Sequence, residues 1–369
     1  MKRGRSIATT LVVGCLLLPG AAAAQPSLGY NEDLHALHNE GRLGSVLDDI
    51  GAQGAETVRL NVYACRTAAP GGWDQYDAVI EAVQDRGLRA VVMIGGVPGA
   101  ACPDNWAPPH TGAEWDAWYE FVAETVRRTW PVADAYEVWN EPNLPAFWDA
   151  DLDPAAYSLV LTYAEYAIEE VEDQLCADSG ECDLDLRTAF TGLGRPDLEC
   201  EERGPTAAVC PRDYMRDALA LVSPAYVDAI GIHLYPERSY DASNAAAREQ
   251  TLAQYDELDA EIERHGFGEA SRLVTELGFR TSTDPDRCGG VSEDDQAERL
   301  TGTWLDLGDR PRLETVQIHR FADSRQEVCG AGPYKAYGVM GPDFGADGFE
   351  PKRSYCAIAA FLQHEPPKC

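Results

Sequence analysis

Eight short apolar runs alternate with stretches whose apolar residues recur at helical spacing, and this alternation limits the possible folds more than any other feature of the chain. The runs cover residues 28–31, 56–62, 88–94, 136–139, 186–191, 227–234, 273–276 and 315–321. Helical spacing follows at 43–50, 76–85, 111–129, 153–172, 213–221, 244–264, 292–305 and 355–363. Residues 88–94 are almost continuously apolar, as expected of a strand covered on both faces. Thr111 with Glu114 reads as a capping box, Asp153-Pro154 as a helix start with proline at its first position, and Ser292 as another helix start. No internal repeat, low-complexity tract or long polar linker interrupts the series. Strands alternating with helices at this spacing predict an α/β fold, a single-domain (β/α)8 TIM barrel over residues 25–369.

The first 24 residues read as a separate element. Lys2, Arg3 and Arg5 precede an apolar run from Ile7 to Leu18, and an Ala-x-Ala site follows before Gln25, the pattern of a secretory signal peptide. Val12-Val13-Gly14-Cys15 also fits a lipoprotein cleavage box, so a lipid anchor at Cys15 is a rival, although the apolar run continues past that cysteine. No later segment has the ~20 uninterrupted apolar residues of a membrane helix. Of the 11 cysteines only Cys15 lies in the leader, and the even remainder in an exported chain predicts disulfide-linked loops. Pairing each cysteine with a neighbour along the chain gives Cys65–Cys102, Cys176–Cys182, Cys200–Cys210, Cys288–Cys329 and Cys356–Cys369. Zinc is the competing use of cysteine, but neither a CxxC pair nor HExxH occurs, so neither a metal nor a cofactor is expected. Lys plus Arg number 30 against 62 Asp plus Glu, which disfavours a nucleic-acid partner, since phosphate binding needs clustered cations. The sequence leaves the oligomeric state open.

Barrel enzymes place their chemistry at strand C-terminal ends. The fourth run leads into Trp139-Asn140-Glu141-Pro142-Asn143, where a proline that cannot donate a strand hydrogen bond ends the strand and leaves the Glu141 carboxylate at its tip. The seventh closes with Thr275-Glu276-Leu277-Gly278, a second carboxylate with three βα units between. Arg59 ends the second, in Val58-Arg59-Leu60-Asn61, and could ionise a neighbouring carboxylate or form a structural ion pair. His233 and Tyr235 end the sixth, in Gly231-Ile232-His233-Leu234-Tyr235-Pro236, as hydrogen-bonding groups or as structure. Trp73, Trp106 and Trp148 fall in the loops after the second, third and fourth runs, where they could stack on a ligand or pack beneath loops. Trp115, Trp118 and Trp139 read as core, and Glu137 as a structural carboxylate deeper in the barrel.

Val138-Trp139-Asn140-Glu141-Pro142-Asn143 resembles the acid/base strand of the retaining glycoside hydrolases of clan GH-A, which share the eightfold β/α barrel and include cellulase-like, mannanase-like and β-xylosidase/iduronidase-like families. The resemblance implies that Glu141 is the proton donor, Asn140 holds the substrate's 2-hydroxyl, Glu276 in "Thr-Glu-Leu-Gly" is the nucleophile, and Arg59 lies beside it. His233-Leu234-Tyr235 resembles the clan's His-x-Tyr, which would place the Tyr235 hydroxyl on Glu276 and His233 near the acid/base or the sugar. Residues 337–340 and 351–355 resemble the clan's closing segment. The chain departs from the pattern at strand eight, where many members carry a tryptophan floor. Here the segment reads Gln317-Ile318-His319-Arg320-Phe321, and Phe321 is the expected substitute.

Two functions compete. One is a secreted retaining glycosidase acting on equatorially linked poly- or oligosaccharides, with carbohydrate as its only expected partner. The other is a catalytically silent barrel that binds carbohydrate. Silent relatives usually lose one carboxylate, whereas this chain keeps both. A metal-dependent barrel hydrolase would need His-rich strand ends, which are missing.

Overall fold

Parallel strands β1 (Ser27–Asn31), β2 (Thr57–Tyr63), β3 (Arg89–Gly95), β4 (Ala133–Val138), β5 (Thr188–Phe190), β6 (Ala229–Leu234), β7 (Ser271–Leu277) and β8 (Leu313–His319) pair in sequence order, and β8 returns to β1 to close the barrel. The computed structural model describes residues 25–99, 106–149, 151–180, 182, 184–194, 209–235, 242–282, 290–323, 336–341 and 349–369. The leader with Cys15, and Pro236, lie outside the described residues. Between and after the strands run α1 (Leu34–Asn39), α2 (Leu43–Gln53), α3 (Ala64–Thr67), α4 (Gly72–Gln84), α5 (Gly112–Thr129), α6 (Pro154–Ser179), α7 (Pro211–Leu219), α8 (Asn244–Arg264), α9 (Glu293–Leu307) and α10 (Arg353–Phe361). No helix among the described residues is long and apolar enough to cross a membrane.

Local chemistry sets the helix boundaries. The Thr111 hydroxyl accepts from Glu114 N at 3.3 Å while the Glu114 carboxylate accepts from Thr111 N at 2.8 Å, a full capping box at α5. Asp153 and Ser292 cap α6 and α9 by accepting from Ala155 N and Asp295 N. Helix α6 extends to Ser179, several residues beyond the apolar stripe that announced it, and stops at Gly180 in the left-handed conformation, φ 76°. Short α1 and α3 were not foreseen. Each is a single turn or so lying directly after a strand, too brief for periodicity to register.

Two apolar layers hold the barrel. Alternate strand residues, such as Ala90, Val92 and Ile94 of β3, point outward into one continuous core with the buried faces of the helices. Val91, Ala135, Ala189, Ala229 and Leu273 point inward and form a separate small cluster inside the barrel. Above that plug the inward positions turn polar, with Arg59, Glu137, His233, Thr275 and Gln317 all fully or almost fully buried. Buried charge is tolerated only when paired, so this polar layer must supply its own partners. Strand β8 begins and ends two residues earlier than the apolar run suggested, so its tip is His319 and not Phe321.

Disulfides Cys176–Cys182 and Cys356–Cys369 agree with the expected pairs. The other three expected pairs each require a cysteine outside the described residues, namely Cys102, Cys200, Cys288 or Cys329, although Cys65 and Cys210 are disulfide-bonded.

Gly29 of β1 lies opposite Thr57 of β2, where an added Cβ would come within 2.1 Å of Thr57 Oγ1 and 2.6 Å of its carbonyl oxygen. Backbone cannot yield as a flexible side chain can. Gly29→Ala is therefore expected to destabilise the barrel by about 1–3 kcal/mol, read as a lower urea midpoint at unchanged slope. A wild-type midpoint would show that β1 and β2 separate without cost.

Candidate active site

The fourth strand stops at Val138, three residues before Glu141, because the backbone turns sharply there. Trp139 and Glu141 take positive φ values of 75° and 44°, conformations a non-glycine residue holds only when its surroundings impose them. The surroundings do impose them. The Trp139 indole is wholly buried and donates to Phe147 O at 2.7 Å, and Asn143 clamps the chain by bonding both Gly194 N and Gly194 O. The Glu141 side chain is thereby delivered to the barrel mouth. Trp139 thus lies just past the strand it was expected to occupy, though in the core as expected.

Glu276 reaches the same place from β7 through an irregularity. In the β6–β7 register Ile232 faces Val274, but the next pair is His233 with Glu276, so Thr275 is an extra residue in its strand. Consecutive residues of a regular strand face opposite ways. Here both turn inward: Thr275 Oγ1 donates to Glu137 at 2.9 Å, and Glu276 accepts from Arg59 and Asn31.

A single guanidinium organises these groups. Arg59 Nε donates to Glu137 Oε2 at 2.7 Å, Nη1 to Glu276 Oε1 at 2.8 Å and Nη2 to Asn140 Oδ1 at 2.9 Å. Asn31 Nδ2 adds a second bond to Glu276 Oε1 at 2.7 Å, and the Tyr235 hydroxyl donates to Oε2. Across the mouth, His233 Nδ1 lies 2.7 Å from Glu141 Oε1. One oxygen of each glutamate and one nitrogen of His233 all lie within 4.8 Å of one another.

The two carboxyls are driven apart electrostatically. Burial pushes Glu141 upward and the negative charge of Glu276 adds to it, which outweighs the opposing pull of His233 and Arg59. Burial pushes Glu276 upward too. The charges of His233, His319 and Arg59 and the Tyr235 hydrogen bond overcome that and hold it at about 2. For His233, burial works against the charged form, but Glu276 and Glu141 outweigh it and raise the imidazole. One acid is kept protonated while its neighbour is ionised.

Glu141, His233 and Glu276 have the donor types of a divalent-cation site. Glu276, however, already accepts from three groups, one of them a guanidinium, so a cation would have to displace them against the Arg59 charge. The trio suits a shared proton better.

A cavity of about 300 Å³ opens over the pair, lined by Asn31, Glu32, Asp33, Arg59, Asn61, Tyr63, Asn140, Glu141, Leu144, Phe147, Tyr235, Glu276, His319, Arg320 and Tyr337. Of the expected site residues, Glu141, Glu276, Asn140, Arg59, Tyr235 and His233 come together. The four aromatic candidates do not line this cavity. Trp148 is 1% exposed, packed on Trp139 with its indole N–H on Asp151 O. Trp73 lies on α4 against Tyr76 and Phe121, with the Arg128 guanidinium over its ring. Trp106 packs against Tyr63, Trp139 and Phe147, so it supports two lining rings from behind. Phe321, past the end of β8, is buried between Tyr30 and Tyr355. Long aromatic side chains near strand ends found core to fill, and the polar tips of β1, β2 and β8 took the lining positions instead. Asn31, Asn61 and His319 were overlooked there, although their place at strand C-terminal ends was the available signal.

The sequence matches no family model and no curated protein. Among solved structures the chain is similar to a family 39 glycoside hydrolase of Bacteroides cellulosilyticus, with 16% identity and a TM-score of 0.59 over 92% of this chain and 64% of that one. It spans less than two thirds of that protein's length. It is also similar to a β-glucosidase of Exiguobacterium marinum, with 12% identity and a TM-score of 0.57 over 92% of this chain and 97% of that one. A family 1 β-glucosidase of Exiguobacterium antarcticum matches at 13% identity and a TM-score of 0.55, over 89% and 87% of the two chains. At these identities the likeness is one of fold, a closed barrel of eight parallel strands.

Proposed function

We propose that this chain is a secreted retaining glycoside hydrolase that cleaves equatorially linked oligo- or polysaccharides with Glu141 as acid/base and Glu276 as nucleophile. The observation that carries the reading is the glutamate pair, with oxygens within 4.8 Å across the mouth and titrations pushed in opposite directions. Retaining chemistry needs carboxyls ~5 Å apart, whereas inverting enzymes leave ~6.5–9.5 Å for a water. Glycoside hydrolases among the similar structures support the substrate class. The leader-like first residues and disulfides such as Cys176–Cys182 and Cys356–Cys369 support export.

In the first step the protonated Glu141 gives its proton to the leaving oxygen while ionised Glu276 attacks the anomeric carbon. In the second, Glu141 takes a proton from water, which attacks the glycosyl-enzyme and releases Glu276. Arg59 holds the Asn140 carbonyl oxygen, so the amide N–H2 of Asn140 is the donor left for a sugar hydroxyl. Tyr235, Asn31 and Arg59 hold Glu276 by its two oxygens and restrain its rotation before attack.

The pH dependence follows. The acidic limb of kcat/KM should track Glu276 and lie well below the usual carboxylate range, and the basic limb should track Glu141. Tyr235→Phe removes a hydrogen bond that favours the ionised nucleophile, so the acidic limb should move to higher pH with little change in melting temperature. An unmoved limb would separate Tyr235 from the ionisation of Glu276.

The two glutamates also differ in their response to azide. Glu276→Gly should be inactive on every substrate of a glycan panel, with azide filling the vacated space and giving the inverted product. Glu141→Ala loses proton transfer, roughly 10²–10⁴-fold, yet should still form the glycosyl-enzyme from an aryl glycoside with an acidic leaving group. Azide should then restore turnover with the substrate's configuration. The same anomer from both variants would contradict the roles assigned, and a wild type inert on the whole panel would favour a binding barrel.

A further inference from the structure

Glu137 lies four residues before Glu141 and its carboxylate is wholly buried. Oε2 accepts from Arg59 Nε at 2.7 Å, and Oε1 accepts from Gly192 N at 2.8 Å and Thr275 Oγ1 at 2.9 Å. A further neighbour is His233 Nε2, 4.0 Å from Oε1. That nitrogen is buried with no hydrogen-bond partner, while Nδ1 of the same ring touches Glu141. The ring is held against Gly192, where even a Cβ would come within 2.4 Å of Nε2.

Glu141 and His233 share the proton between Oε1 and Nδ1, and in the state with that proton on Glu141 the imidazole is neutral and carries one N–H, on either nitrogen. With Nε2 facing an anion in a low-dielectric interior, the hydrogen is favoured there, because a lone pair at that point would be repelled. Nδ1 is then an acceptor, and the hydrogen in its 2.7 Å contact has to come from Glu141. We propose that Glu137 is a positioning residue that fixes His233 as the Nε2–H tautomer and through it keeps the proton on Glu141, while on its other side it aims Arg59 at Glu276. One buried anion thus helps set both protonation states. Among the described residues, the other charged or titratable groups that act on the ring are Glu141, Glu276 at 3.8 Å from Nδ1, Arg59 and His319.

The kinetic part of the test rests on the glycosidase reading, but the tautomer does not. In the wild-type protein, nitrogen-resolved NMR of the His233 ring, at a pH between the titrations of Glu276 and Glu141, should show hydrogen on Nε2 and none on Nδ1. Hydrogen on Nδ1, in a neutral or doubly protonated ring, overturns the proposal whether or not the protein cleaves sugars.

Glu137→Gln removes the charge. Both limbs of the pH–rate profile should then move to lower pH, the basic limb by roughly one to two units, the scale of a unit charge ~8 Å away at an effective dielectric near 20. Melting temperature should fall as well, because one amide oxygen cannot serve both Arg59 and Gly192. Glu137→Asp keeps the charge and should return the basic limb toward its wild-type position. A folded Glu137→Gln enzyme with unmoved limbs makes Glu137 a packing residue only and overturns the proposal. If that variant does not fold, the wild-type tautomer decides.

Discussion

The Arg59 guanidinium, 1% exposed and bonded at once to Glu137, Glu276 and Asn140, is the interaction on which the rest of the site depends. Two carboxylates and a cation inside a barrel are tolerable only as a complete set, since removing one member of a buried ion pair typically costs 3–5 kcal/mol. The set also joins three strands, β2, β4 and β7, at the level where the apolar plug of the barrel ends. Structure and chemistry are therefore not separable here. The charge that, after those of His233 and His319, helps keep Glu276 ionised also pairs with Glu137 and holds the Asn140 amide.

Around that centre the scaffold departs from ideal geometry where a side chain must be delivered. Thr275 is an extra residue in β7, which lets Thr275 and Glu276 both face inward. Positive φ at Trp139 and Glu141 swings the acid toward His233, with the Trp139 indole and the Asn143 clamp supplying the compensating contacts. Such conformations cost on the order of 1–3 kcal/mol each and persist where neighbouring contacts over-determine them.

Much of this was legible in the chain. Strand-like runs alternating with helical spacing announced the barrel, residues 88–94 being apolar almost throughout, and caps at Thr111, Asp153 and Ser292 marked helix starts by their own hydrogen bonding. Glu141, Glu276, His233 and Tyr235 were visible as polar residues at or just past strand tips, whereas Arg59, expected to end the second strand, is the third residue of β2, which runs on to Tyr63. The aromatic residues were not legible in the same way. Trp148 and Phe321 lie in loops that return to the core, and their burial depends on distant partners such as Trp139 and Tyr30. The end of β8 was placed two residues late because His319 and Arg320 interrupt no pattern, and this moved attention from His319 to Phe321. Nothing local reveals the Thr275 irregularity, which exists only as a register between two strands.

Trapping the covalent intermediate tests the central claim, that Glu276 attacks while Glu141 shuttles the proton, most directly. Incubation with an activated 2-deoxy-2-fluoro aryl glycoside of a sugar the protein cleaves should raise the intact mass by one glycosyl unit. Peptide mapping should then place the label on Glu276. A label on Glu141, or steady turnover of the parent glycoside with no adduct and an inverted product, would contradict the account.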